Sequence, residues 1–177
     1  MKYVALLRGI NVGGKSMVSM QELRGTIERA GMSNVSTYIN SGNIICESDL
    51  PRAVVTNTIE QAIEQKFGFA IHVVVLDRDR LLAIARALPK DWTNDAHMKC
   101  DVMFLWEHVD SPDVLKQVTL KPGIDHAHYV PGAILWAVDR DAVARSGLLR
   151  LIGTELYKHM TVRNCNTVRK LATLVKN

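Results

Sequence analysis

Cysteine is scarce in this 177-residue chain, and its three copies, Cys46, Cys100 and Cys165, contain no Cys-x-x-Cys pair. That argues against both a disulfide framework and a zinc ribbon, and points to reduced, buried thiols of the kind found in cytoplasmic proteins. Arg8 interrupts the first apolar run, and no later run is long enough to span a bilayer. Neither a signal peptide nor a membrane partner is expected. Aromatic residues are few, and the strand segments from Val4 to Leu7 and from Ile44 to Glu47 carry none. An RNA-recognition sheet needs stacking rings on its central strands, so that module is disfavoured. No Gly-x-Ser-x-Gly elbow is present, and Ser41 has no identifiable nucleophile partners.

What the chain does have is 47% hydrophobic residues, enough to bury a core in one compact domain or two small ones. Its net charge of +4 is unevenly placed. Residues 1–144 carry 15 Lys and Arg against 17 Asp and Glu, whereas residues 145–177 carry 7 against Glu155 alone. The basic end suits an anionic ligand or partner, or else a solvated helix face.

The periodicity gives an element order. Lys2 to Arg8 reads as a buried strand, and Ser19-Met-Gln-Glu22 as a capping box opening a helix with Met20, Leu23, Ile27 and Ala30 on one face. Val35, Thr37 and Ile39 alternate as a strand, and Asn40-Ser-Gly-Asn43 turns it into a hairpin with Ile44 to Cys46. A second helix carries Val55, Ile59, Ile63 and Phe67, and a strand follows over 70–76. This β-α-β-β-α-β order is ferredoxin-like. Asp77 is positioned to cap a linking helix that ends before Pro89.

The second half repeats the plan less completely. A strand from Asp101 to Trp106 precedes a Ser111-Pro112 helix start and a hairpin around Pro131-Gly132. A helix through Leu149, Ile152 and Leu156 is then expected, with a last helix, capped by Asn166 or Thr167, where the closing strand would be. The domains expected are residues 1–76 and 100–177, joined by a linker over 77–99. The fold class is thus α+β, with two tandem ferredoxin-like subdomains, the second modified.

Gly9-Ile-Asn-Val-Gly-Gly-Lys-Ser16 matches the phosphate-binding P-loop letter for letter, and Val73 to Asp77 imitates the magnesium-holding strand of such enzymes. A P-loop, however, places its Lys and Ser on the first turn of a helix beside a parallel sheet. Here the capping box starts the helix later, and the hairpin is antiparallel, so no P-loop nucleotide hydrolase is expected. What remains is a Gly13-Gly14 pair whose backbone can approach an anion, between Arg8 and Lys15. A second cluster, Thr161-Val-Arg-Asn164, precedes Arg169 and Lys170, cations at a helix start where a nearby anion would be favourable. The candidate ligand-binding residues are therefore Arg8, Asn11, Gly13, Gly14, Lys15, Arg163 and Asn164. The partner they suit is a phosphate-bearing small molecule or nucleic acid. An enzyme acting on such a ligand and a structural or partner-binding domain are the alternatives; no general base or nucleophile stands out, and no cofactor is expected. His126 and His128 share a strand face without a third ligand, so no metal site is expected.

Three stretches, Leu7-Arg-Gly-Ile-Asn-Val-Gly-Gly-Lys15, Thr37-Tyr-Ile-Asn-Ser-Gly-Asn43 and Met160-Thr-Val-Arg-Asn-Cys-Asn-Thr167, together resemble a bacterial family known as domain of unknown function 1697. In that family the lysine of the first motif is commonly followed by Asn, where this chain has Ser16. The resemblance implies tandem ferredoxin-like units and no established activity, substrate or cofactor.

Overall fold

The structure, a computed structural model, describes residues 1–176. The chain divides into two units, Met1–Leu81 with Leu174–Asn177, and Leu82–Thr173.

The first unit runs β1 (Lys2–Leu7), α1 (Met20–Arg29), β2 (Ser33–Tyr38), β3 (Asn43–Glu47), α2 (Arg52–Phe67) and β4 (Val73–Asp77). Its sheet has the order β2-β3-β1-β4 and is antiparallel at every pairing. Alternation along β1 puts Tyr3, Ala5 and Leu7 into one core with Leu23 and Ile27 of α1 and Val55, Ile59 and Ile63 of α2. Each of the Leu, Ile and Val side chains among them contributes about 1.5–3 kcal/mol by leaving water. Val4 and Leu6, on the opposite face, are also buried. Val4 and Leu6 are thus not open to a stacking base.

Ser19 caps α1 by accepting from the Glu22 amide, but the Glu22 carboxylate faces Lys66 at 3.7 Å, so only half of the expected capping box is used. Gly68, at φ 76°, ends α2 in the left-handed conformation glycine permits. Ile39 departs from the strand reading. It lies beyond β2 at φ 50° and 47% exposed, an unusual backbone for a β-branched residue.

After α3 (Arg78–Ala87), whose first turn is capped by the Asp77 carboxylate accepting from the Arg80 amide at 2.8 Å, come β5 (Met98–Leu105), β6 (His126–Val130) and β7 (Ala133–Asp139). Then follow α4 (Leu148–Leu151), α5 (Glu155–Lys158), β8 (Met160–Asn164) and α6 (Cys165–Leu174). The second sheet has the order β6-β7-β5-β8, again antiparallel and matching the first position for position.

Two expectations are corrected here. The closing strand exists, because Met160 to Asn164 pair with Leu105 to Asp101. The single helix through Leu149, Ile152 and Leu156 is broken at Gly153, and Thr154 caps a fresh turn by accepting from the Tyr157 amide. In this unit both covers of the sheet are short pieces. A 3-10 turn over Pro112–Gln117 covers one part and a 3-10 turn over Arg140–Arg145, α4 and α5 the other. Their inward residues Val114, Ala142, Leu148, Leu151 and Leu156 pack on Met103, Ile134 and Trp136. Asp125 ties these pieces together by accepting from the Lys121 amide, the Ser146 hydroxyl and the Gly147 amide. A side chain at Gly147 would collide with the Thr119 carbonyl, so only glycine fits.

Candidate functional site

The glycine motif folds as a miniature hairpin between β1 and α1. The Lys15 amide donates to the Val12 carbonyl at 3.1 Å, across Gly13 and Gly14 at φ 60° and 74°. Two consecutive positive φ angles are what a type I′ turn demands, and they explain the glycine pair without reference to phosphate. The Asn11 amide then donates to the Ser16 carbonyl at 3.2 Å, with Asn11 and Ser16 themselves left-handed at φ 53° and 49°.

The base of this hairpin is held by one side chain. Asn11 Nδ2 donates to the carbonyls of Val18 and Asn40 at 3.0 and 2.8 Å, and its Oδ1 accepts from the Val18 amide at 2.7 Å. Asn11 thus stitches the motif to the β2–β3 turn, where Gly42, at φ 76°, accepts from the Leu7 amide at 2.8 Å. Left-handed residues gather in this corner: Gly9, Asn11, Gly13, Gly14, Ser16, Ile39 and Gly42. For the glycines this conformation is free, but at Ser16 and Ile39 it is strained, and such strain persists only where neighbouring contacts impose it.

Neither requirement of a P-loop is met. Lys15 and Ser16 precede the Ser19 cap rather than occupying the first helical turn, and the adjoining sheet is antiparallel. The hairpin instead presents the Gly13 and Gly14 amides, which donate to nothing among the described residues, beside the exposed ammonium of Lys15. Arg8 is half-buried at the hairpin's root, its amide donating to the His72 carbonyl at 3.2 Å. Val12 and Met17 flank the turn, each 68% exposed.

The other two candidates, Arg163 and Asn164, belong to the second unit and face opposite sides of β8. Arg163 is buried and donates to Thr161 Oγ1 at 3.0 Å and to the Val162 carbonyl at 2.8 Å. Burial alone brings its guanidinium down to about 10. Asn164 is the cap of α6: its Oδ1 accepts from the Thr167 amide at 2.9 Å, so the cap lies before Asn166 and Thr167. Arg169 is likewise tied down, donating to the Pro89 carbonyl at 2.9 Å and to Cys165 Sγ at 3.4 Å. His126 and His128 both lie against Trp92, His128 stacked at 5.2 Å. Among the described residues no group of His, Cys, Asp and Glu is gathered as metal ligands are.

Sequence reasoning missed a cleft in the second unit, lined by residues of the broken crossover and of β5 and β8, among them Lys99, Asp101, Leu149, Ile152 and Asn164. Of these, only Asn164 stands out in the sequence as a ligand candidate, Leu149 and Ile152 reading there as helix periodicity alone. The rest carry no motif, since they come together from separate elements.

No helix among the described residues is long and apolar enough to cross a membrane. No curated protein matches the chain. It is similar to the solved structure of the conserved bacterial protein SP0830 from Streptococcus pneumoniae, with 28% identity, a TM-score of 0.85 and coverage of 98% of each chain. Residues 1–136, which include the glycine hairpin and the β2–β3 turn, match the family described as "Protein of unknown function (DUF1697)". With that match extending over most of its length, and with a bacterial structural relative over nearly all of it, the chain belongs to the DUF1697 family.

Proposed function

We propose that the protein is a binding module of two tandem ferredoxin-like units whose glycine hairpin takes a phosphate-bearing ligand, nucleotide-like or nucleic acid. The matching strand orders of the two sheets support the tandem reading. One observation carries the ligand reading: the unspent amides of Gly13 and Gly14 lie beside exposed Lys15, and consecutive amides with a cation form an anion-binding nest. Arg8 supplies a second positive charge at the hairpin's root. Arg163 and Asn164, in the second unit, brace β8 and fix the start of α6, and the hairpin's ligand is not assigned to them.

The test is a thermal-shift and titration panel of nucleotides and short oligonucleotides against the intact protein and Lys15→Ala. A ligand at a hundred times its dissociation constant should stabilise the protein by about 2.7 kcal/mol, or roughly 5–11 °C for a chain of this size. Lys15→Ala should abolish that shift, and added salt should weaken it steeply if the ligand is nucleic acid. A flat panel, or a shift indifferent to Lys15, refutes the proposal. A second reading, a partner-binding surface, draws support from exposed Val12 and Met17; stoichiometric protein capture lost in Val12→Asp would favour it.

A further inference from the structure

The two units share one strand order but differ in what spans the sheet before its closing strand. In the first unit that cover is α2, one continuous helix of 16 residues. In the second it is a 3-10 turn and the two short helices α4 and α5, and the sheet beneath is incompletely covered. The space left is a cleft of about 360 Å³, within the range of small-molecule sites.

Its lining is divided by chemistry. One wall is apolar: Met103, Val143, Leu148, Leu149, Ile152 and Val162. Leu149 and Ile152 are each 52% exposed, so an apolar occupant would remove both from water. The polar end holds Lys99, Arg140, Asp101, Asn94 and Asn164.

What those polar groups have left to offer follows from the bonds they already make. Lys99 Nζ pairs with Asp101 at 2.7 Å. Asn94 Oδ1 accepts from the Cys100 amide and from Arg140 Nη2, both at 3.3 Å, and Arg140 Nε donates to the Asp95 carbonyl at 2.9 Å. Asn164 Oδ1 is occupied by the Thr167 amide. The acceptors of both amides are thus engaged, and their NH₂ groups remain, with N–H groups of Lys99 and Arg140. Two cations against one carboxylate leave a net charge of +1. A donor-rich end with one surplus positive charge suits a singly charged acceptor, whereas a doubly charged phosphate would bring one charge too many.

We infer that this cleft binds a small monocarboxylic acid, its carboxylate at the Lys99, Arg140 and Asn164 end and its apolar tail along Leu149 and Ile152. No residue of the glycine hairpin lines this cleft, and the inference does not depend on the hairpin's ligand.

Probes sharing one tail test this: hexanoate and octanoate against hexanol, hexylammonium and hexyl phosphate, titrated calorimetrically into the intact protein. The two carboxylates should bind at one site per chain, octanoate more tightly, and amide chemical shifts should move in β5, β8 and residues 148–152. Ile152→Glu, at an exposed position that leaves the fold intact by circular dichroism, should weaken octanoate at least tenfold. Arg140→Ala should weaken carboxylate binding more than hexanol binding. Lys15→Ala should leave octanoate binding unchanged, which separates this site from the hairpin. Absence of saturable carboxylate binding, tighter binding of hexylammonium, shifts confined elsewhere, or indifference to Ile152→Glu would overturn the inference. So would tighter hexyl phosphate binding that survives Lys15→Ala and is lost in Ile152→Glu.

Discussion

Replacing Asn11 by alanine should destabilise the protein by about 3 kcal/mol, and the components can be measured separately. The side chain makes three hydrogen bonds, two of them to the backbone of Val18, which is 5% exposed. Losing those two strands a buried N–H and a buried C=O at about 1 kcal/mol each, whereas the Asn40 carbonyl recovers water at little cost. The third component is conformational: alanine at φ 53° has no local side-chain bond to stabilise the left-handed backbone, adding about 1 kcal/mol. Asn11→Gly should therefore cost only about 2 kcal/mol, since it loses the bonds and avoids the strain. Urea unfolding reads both values as shifts in midpoint at unchanged slope. The reasoning is refuted if Asn11→Ala loses less than about 0.5 kcal/mol, or if the alanine and glycine variants coincide.

Two further outcomes are expected. Gly42→Ala would put a Cβ 2.7 Å from both Leu7 Cβ and Ile10 Cδ1 at φ 76°, so calorimetry should show a loss of about 2–4 kcal/mol; an unchanged melting point would contradict the packing of this corner. The Cys165 thiol is drawn below its ordinary value, first by the hydrogen bond with Cys100 and then by Arg169. Because its folded value lies below the unfolded one, its contribution is present above the ordinary thiol value of about 8.5 and lost as pH falls through the lowered one, so stability from this group should rise with pH toward that value. Cys100, raised by its bond with Cys165 and by burial, and Cys46, pushed up to about 11 by burial, act oppositely above it. The urea midpoint should accordingly climb as pH rises toward about 8.5 and then turn over; a climb that persists in Cys165→Ser would rule this origin out.

The first unit was legible because each of its elements carries a local signal. Apolar alternation in β1, the Ser19 cap, the Asn40-to-Asn43 turn and the Gly68 stop are short-range devices that the chain obeys. Ile39 misled because its spacing fits a strand, while its backbone is set by the turn stitched to Asn11. In the second unit Leu149, Ile152 and Leu156 keep helical spacing, yet only Leu156 faces the core, and Gly153 with Thr154 restarts the helix between them. Met160 to Asn164 does not read as a strand because its strongest signals, Arg163 and Asn164, read as functional. Their actual tasks, bracing β8 and capping α6, depend on partners that spacing does not reveal.

The broken crossover of the second unit also bears on how the molecule exchanges its amide hydrogens. Helices of 4 residues such as α4 and α5 lie far below the length at which a helix persists by itself, so their order depends on Asp125 and on contact with the sheet. Their backbone amides should exchange with deuterium through local opening, while those of β5 and β7 wait for global unfolding. A segment able to lift while the strands beneath stay paired gives a solute entry to the cleft without breaking the fold. Occupancy should then register as slowed exchange across residues 148–158, with the central strands unchanged.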